Sequence, residues 1–386
     1  MKCAAISVIG KRCTGCEACV QACPQCALTM EPDEEGFFYP VLQERLCTHC
    51  GICAAICPVV SPERVKRTSL PDTILAGTLG DREVLRSSAS GGAFSAIVSA
   101  AGPDVVYGTA WTGPAAAACI RVTPEAIGPL RSSKYVQGRV HSAYAVVRRD
   151  LKEGKNVLFS GTPCQAAGLI GFLGNCPERL TTVEILCHGT ASPGLFQEYL
   201  RLLGEKANSP VHSFAFRKKD PILGNWEAFR REVRFENGRV ERTYQDLFTE
   251  LFLSRTILRP VCGECPFASS KRVSDIVIGD YWGCAKNDPV LYNKAGVSLI
   301  LPMTGHGREI ASMLAAHMAL SPIPTTHVTK KNSVLLRPKA ANSLREAFFE
   351  TVLHDGAAAA FAAFAPKSSW KQPIKPYLRL LGYLRG

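Results

Sequence analysis

The sequence predicts two units: a small, cysteine-rich N-terminal domain of α+β type, followed by a larger mixed α/β body. Three observations predict this. The 386 residues exceed one minimal domain. Eight of the 17 cysteines fall in two tight repeats near the N-terminus. Beyond them, short β-rich apolar runs alternate with helical stretches. A hydrophobic content of 46% with 20% charged residues suits a globular chain that can bury a core.

The first repeat, "CTGCEACVQACP", places Cys13, Cys16, Cys19 and Cys23 before Pro24. The second, "CTHCGICAAICP", places Cys47, Cys50, Cys53 and Cys57 before Pro58. Both have C-x2-C-x2-C-x3-C-P spacing. Three thiolates on one tight loop can face three irons of a cubane, and the fourth, at the start of a short helix, reaches the other cluster. The spacing therefore assigns one [4Fe–4S] cluster to Cys13, Cys16, Cys19 and Cys57. The second falls to Cys47, Cys50, Cys53 and Cys23. This is the pattern of a bacterial-type two-cluster ferredoxin domain over residues 1–62, built as an internal repeat. Gly15 and Gly51 suit the sharp turns. Zinc knuckles also use C-x-x-C pairs, but rarely end four cysteines in Cys-Pro. "EPDEEGFFYPVL" reads as a hairpin joining the halves, with Phe37, Phe38 and Tyr39 shielding a cluster. Cys3 and Cys26 read as small buried hydrophobes.

"VSPERVKRTSLPDT" has Pro, Ser and basic residues without apolar periodicity, and a linker is expected at 63–75. The body is expected at 76–345. Within it "DVVYGTAW", "NVLFSGTP", "TTVEILCHG" and "SDIVIGDYWG" read as buried strands ending in Gly-rich turns. "GGAFSAIVSAA", "SAYAVVRRDLKEG" and "PGLFQEYLRLLGEK" read as helices. Such alternation puts chemistry at strand ends. Residues 346–386 read as an alanine-rich helix and a basic tail.

Net charge is +12. The first sixty residues carry four basic and six acidic side chains, so the excess lies wholly in the remainder of the chain. A basic body suits phosphates and acidic cofactors. No basic helix or RNA-binding aromatic signature accompanies it, which argues against nucleic acid. No apolar run spans a bilayer and no leader-like segment opens the chain. The basic, Trp- and Tyr-bearing tail allows weak contact with a membrane surface, or packing on the body. Many cysteines at metal-ligand spacing fit a reducing cytoplasm.

"RSSASGGAFSAIVSA" sets hydroxyls and glycines before a helix, an arrangement that suits a phosphate or is a plain N-cap. "RSSKYVQG" places Lys134 beside hydroxyls and Tyr135. "FSGTPCQAAGL" carries Cys164 at a helix start, where the dipole favours the thiolate. "ILCHGTASP" carries Cys187 at a strand end, and "RPVCGECPF" the pair Cys262 and Cys265. These four thiols can make a third [4Fe–4S] site, with Cys284 the close rival. Spacing alone leaves zinc, or cysteines with no ligand role, equally open.

In this order the motifs, with "SDIVIGDYWG", resemble the beta-subunit family of coenzyme F420 hydrogenase and F420-dependent dehydrogenases, from about residue 10 to about residue 340. The resemblance implies a flavoprotein whose body binds FAD with an iron–sulfur cluster beside it, and two further ferredoxin-type clusters in members with the N-terminal extension. Ser88, Ser90, Gly91 and Gly92 match the family's flavin-binding "SSSGG" stretch, with Ala89 a departure. Lys134, Tyr135 and Gln137 match "SKYVQ", and Thr162 matches the "GTPC" turn. Cys164, Cys187, Cys262 and Cys265 match the expected third cluster; Cys284 is extra.

The implied function is an iron–sulfur flavoprotein oxidoreductase. It would pass electrons between a small-molecule hydride carrier, with coenzyme F420 the candidate substrate, and [4Fe–4S] clusters leading to a redox partner protein. That partner is a ferredoxin or a dehydrogenase or reductase subunit. A ferredoxin-dependent flavin reductase acting on an organic, polysaccharide-related substrate is the first alternative; a non-enzymatic relay subunit is the second. No side chain stands out as a general acid or base.

Overall fold

The computed structural model describes residues 9–219, 226–227 and 230–365. The expectations for Cys3 and for the basic tail after residue 365 lie outside the described residues.

The N-terminal unit consists of α1 (Ala18–Ala22), a hairpin of β1 (Leu28–Pro32) and β2 (Phe38–Leu42), and α2 (Ile52–Ala55). Leu28 pairs with Leu42 and Pro32 with Phe38. The connecting turn is set by Asp33, whose Oδ1 accepts the N–H groups of Glu35 (3.1 Å) and Phe37 (2.9 Å). Within residues 63–75, expected as a linker, two contacts to the body form. β3 (Thr68–Ser69) runs antiparallel to a two-residue strand at Lys271–Arg272, and the Arg67 guanidinium donates to the Pro266 carbonyl at 2.7 Å. A two-residue strand is too short to leave a periodic trace in sequence.

The body continues with β4 (Thr73–Leu79), α3 (Ala93–Ala101), β5 (Val105–Trp111), β6 (Ala117–Val122), α4 (Ala143–Lys152), β7 (Val157–Gly161), α5 (Pro163–Leu173), β8 (Leu180–Ile185) and α6 (Pro193–Ala207). Then follow β9 (Val211–Ala215), β10 (Arg231–Phe235), β11 (Val240–Thr243), β12 (Lys271–Arg272), β13 (Ile276–Asp280), β14 (Ser298–Pro302), β15 (Met318–Pro324), α7 (Arg345–Asp355) and α8 (Ala357–Ala363). Eight strands form one sheet in the order β15-β4-β14-β13-β8-β7-β5-β6. Its centre, β13-β8-β7-β5, is parallel, and both flanks are antiparallel. Strands covered on both faces need apolar residues throughout, which Val157, Leu158 and Phe159 supply. One face packs α3 against Val106, Leu158 and Ile300; the other packs α4 and α5 against Tyr107 and Phe159. The smaller sheet β11-β10-β9 closes an aromatic core around Phe196, Phe214 and Phe248. The parallel strands thus deliver the loops after β7, β8 and β13 to one end, where open α/β sheets form their crevice.

The N-terminal unit is clamped onto this body. A Cβ placed on Gly168 of α5 would stand 3.0 Å from the Cβ and Sγ of Cys16, and one on Gly171 would stand 2.4 Å from the Ile56 carbonyl oxygen. The Glu17 carboxylate takes Arg139 Nε (2.5 Å) and the N–H groups of Val140 (3.2 Å) and His141 (2.8 Å). The Gln21 Oε1 accepts from the N–H groups of Tyr144 and Ala145, satisfying the first turn of α4. On the other side the hairpin turn meets α6, with Gly36 against Gly194, and Glu35 pairs with Arg345. Phe37 is fully buried in the body's aromatic core beside Phe349, so it fastens the units together. Cys26 is exposed, against the expectation of burial.

Gly171→Val is therefore expected to cost about 1–3 kcal/mol through overpacking against a backbone atom that cannot step aside. Thermal unfolding reads the loss. Limited proteolysis should then cut the segment between the units, which the wild type protects.

Candidate functional site

The two N-terminal cysteine loops repeat one backbone course. Gly15 (φ 70°) and His49 (φ 55°) are left-handed two residues after Cys13 and Cys47, and Glu17 (φ 62°) and Gly51 (φ 75°) are left-handed four residues after them. At the first of these positions the N–H donates to the preceding thiol: Gly15 to Cys13 Sγ and His49 to Cys47 Sγ, both at 3.4 Å. This curls the chain so that successive thiols face inward. Cys13, Cys16, Cys19 and Cys57 open on one small cavity, walled also by Cys53, Met30 and Pro40. Cys23, Cys47, Cys50 and Cys53 open on a second. Burial first, and neighbouring thiols second, push the Cys16 thiol well above its ordinary value. The donor set fits two iron–sulfur clusters: soft thiols lining two small hollows. Among the described residues no three His, Cys, Asp or Glu side chains close up around a single ion. A cubane does not ask them to, because its four thiolates bind four different irons.

The four body cysteines come from three segments. Cys164 sits in the first turn of α5. A capping box between Thr162 and Gln165, with Pro163 at the first helical position, holds that turn. Cys187 lies two residues past β8, and Cys262 and Cys265 lie on the 3-10 turn Pro260–Glu264 and just after it. Gly189 (φ 133°) allows the close approach, since a Cβ there would meet Cys262 Cβ at 3.3 Å. The Thr162 hydroxyl lies 3.1 Å from Cys164 Sγ, and the Thr190 hydroxyl 4.0 Å from Cys262 Sγ. Burial, then the charges of Cys262, Cys164 and Cys265, hold the Cys187 thiol well above its ordinary value. The structure thus brings these four together. Cys284 is elsewhere, buried in a separate core with Tyr281 and Val297. For Cys164 the helix start was expected to favour the thiolate. Instead burial, reinforced by Cys265, pushes it up to about 12, so desolvation outweighs the dipole in the metal-free thiol.

Beside them, at the C-terminal ends of the parallel strands, lies a cavity of about 460 Å³. Ser88, Ser90, Gly92, Lys134, Tyr135, Gln137 and Thr162 all line it, as do Cys164 and Cys187. Gly91 does not. It lies flat on the sheet, where a Cβ would stand 2.4 Å from the Gly77 carbonyl oxygen. Gly92 (φ 86°) turns the chain into α3. The Ser90 hydroxyl is used internally, donating to the Val297 carbonyl at 2.8 Å. The Lys134 ammonium donates to the carbonyls of Pro129 (2.9 Å) and Arg131 (2.7 Å), and burial lowers it to about 8. Arg217, Asp280 and Trp282 are among the lining residues not singled out from sequence. Arg217 pairs with Asp280 at 2.6 Å, and Trp282 follows the β13 turn. The "DYWG" motif signalled a strand end but not which side chains reach the cavity, and Arg217 carries no spacing signal. Helix N–H groups, hydroxyls, a buried guanidinium and aromatic rings fit a dinucleotide flavin: anion at one end, planar ring at the other.

Residues 154–325 match the family model for the C-terminal part of the beta subunit of coenzyme F420 hydrogenase/dehydrogenase. Residues 12–60 match the 4Fe–4S dicluster domain. Among curated proteins, ferredoxin-type protein NapF from Escherichia coli strains K12 and O157:H7 is 41% identical over 44 residues, which is 11% of this chain and 27% of that protein. The chain thus spans about a quarter of the length of the curated relatives it matches. Among solved structures, a chain of the F420-reducing [NiFe] hydrogenase complex from Methanosarcina barkeri is 18% identical with a TM-score of 0.46, covering 70% of this chain and 89% of that one. No described helix is long and apolar enough to cross a membrane. Residues 154–325 thus carry the C-terminal domain of the coenzyme F420 hydrogenase/dehydrogenase beta-subunit family, and a 4Fe–4S dicluster domain stands in front of it.

Proposed function

We propose that the chain is an iron–sulfur flavoprotein that exchanges electrons between a hydride-carrying coenzyme of the F420 type, bound in the 460 Å³ cavity, and a partner protein at the N-terminal unit. One observation carries the reading. Helix α5 presents Cys164 to the cavity at its first turn, and one turn later presents Gly168 to Cys16 of the first N-terminal loop. The cavity, Cys164 and the first N-terminal cysteine loop are therefore adjacent. FAD in the cavity would convert two-electron to one-electron transfer, and three [4Fe–4S] clusters would store single electrons.

The chain's own residues do the rest. Ser88, Gly92 and Thr162 offer hydroxyl and backbone groups to the flavin's polar end, with Arg217 and Lys134 adding positive charge. Cys164, Cys187, Cys262 and Cys265 would hold an inner cluster. The loops after β7 and β8 set Cys164 and Cys187 on the cavity wall.

The test is anaerobic iron, sulfide and flavin content on one preparation. About twelve irons with matching sulfide and one FAD per chain are expected. Bleaching of the flavin band by reduced F420 supports the coenzyme named. Bleaching by reduced ferredoxin alone assigns the organic-substrate reductase, absence of flavin a relay subunit, and zinc in place of iron overturns all three.

A further inference from the structure

Arg259 opens the "RPVCGECPF" stretch and is only 1% exposed. Its Nε donates to the Cys13 carbonyl at 2.7 Å, Nη1 to Gln137 Oε1 at 2.8 Å, and Nη2 to the Phe38 carbonyl at 3.0 Å. The guanidinium carbon lies 4.0 Å over the Tyr39 ring. Its backbone carbonyl accepts the N–H of Cys262 at 2.9 Å, and Gln137 Nε2 donates on to the Gly15 carbonyl at 3.3 Å. One side chain thus touches the first N-terminal loop, the cavity wall and the segment bearing Cys262 and Cys265.

Its partners are carbonyls, an amide and ring faces. Among the described residues no carboxylate lies within ion-pair distance of it, while the nearby Glu17 is committed to Arg139. A cation buried without a counter-charge is costly. The missing charge is available next door: four thiolates outweigh an iron–sulfur core, so a loaded site is anionic, and more so once reduced. The second N-terminal set is different. Cys50, and Leu46 next to Cys47, are exposed.

We propose that Arg259 is the shared counter-charge of the Cys13/Cys16/Cys19/Cys57 site and the Cys164/Cys187/Cys262/Cys265 site, and raises the reduction potentials of these two sites together while leaving the Cys23/Cys47/Cys50/Cys53 site unmoved. The inference rests on reading the twelve cysteines as ligands of three clusters. A fixed positive charge stabilises the more negative reduced form, so it moves the midpoint upward. Sharing one charge keeps the two inner sites matched. Arg suits the place because its planar fork serves three acceptors and lies flat on Tyr39, and because it keeps its proton when buried.

The full chain is purified anaerobically as wild type, Arg259→Gln, Arg259→Lys and Gln137→Glu. Iron and sulfide are assayed first, then each cluster signal is titrated by EPR against potential. Arg259→Gln with full iron should lower two of three midpoints and leave the third. Arg259→Lys should restore most of that shift. Gln137→Glu keeps the guanidinium but neutralises it, and should lower the same two midpoints even if Arg259→Gln loses iron. Unmoved midpoints in a fully loaded Arg259→Gln or Gln137→Glu variant overturn the proposal, as does an equal shift of all three. If the wild type holds no iron, it is the reading of the ligands that fails instead.

Discussion

With both Cys262 and Cys265 replaced by Ala, the protein is expected to purify with about four fewer irons per chain and the two N-terminal sets intact. The expectation comes from how the sites are built. The N-terminal thiols are positioned by left-handed turns and N–H donors within their own loops, and nothing there uses the side chains of Cys262 or Cys265. The body thiols come from three separate segments. They meet only because the loop after β8, the first turn of α5 and the turn at Pro260–Glu264 converge. Removing two of four thiolates leaves Cys164 and Cys187 on separate elements with too few ligands to hold a cubane. FAD should remain, because its candidate contacts lie on other segments. Supplied with electrons at the N-terminal end, such a protein should leave its flavin band unbleached. The measurements are iron content, EPR of the reduced protein and the flavin absorbance on one sample. Iron equal to the wild type would make the pair a structural feature and remove the middle step of the relay.

Legibility from sequence divides along the range of the interactions. The N-terminal repeats are readable because the spacing, the Cys-Pro ending and Gly15 and Gly51 are all local. The central strands are readable because burial on both faces imposes an unbroken apolar run, as in Val157–Gly161. The convergence of Cys164, Cys187 and the Cys262/Cys265 pair could be suspected only by counting thiols at strand ends, and the family resemblance then favoured it. What stayed hidden depends on contacts between units. Phe37 looks like any aromatic near a cluster until the hairpin is docked, and it then belongs to the body's core. Arg259 stood inside a motif singled out for its cysteines, yet its partners come from residues 13, 38 and 137. The helix-start argument at Cys164 was sound electrostatics applied without knowledge of burial, and burial is the larger effect.

Arg272→Met is expected to cost about 3–5 kcal/mol of stability. Arg272 and Glu184 are both buried, 2% and 0% exposed, with Nε 2.5 Å from Oε1. Removing the cation strands a carboxylate inside the sheet, and its second oxygen already lacks a partner. The same guanidinium donates to the carbonyls of Phe267 (3.0 Å) and Ser269 (3.3 Å), so it also pins the loop that follows Cys265 to the strand leading to Cys187. Iron bound as proposed by the body thiols should then be lost at a lower temperature than iron of the N-terminal pair. The pH dependence has a fixed sign. Burial holds the Glu184 carboxyl above its ordinary value, against the downward pull of Arg272. A carboxyl raised on folding takes up a proton more readily in the folded state, so its contribution falls as pH rises from the ordinary carboxylate value through the raised one. Without Arg272 the carboxyl is raised further, and the deficit should shrink toward acid pH and grow toward neutral. Adding Glu184→Gln to Arg272→Met should recover much of the loss, because a neutral amide is left where a bare charge stood. Thermal unfolding of the single and double variants across pH decides it. A deficit unchanged by pH, with no recovery in the double variant, would mean that Arg272 acts through packing and its carbonyl contacts alone.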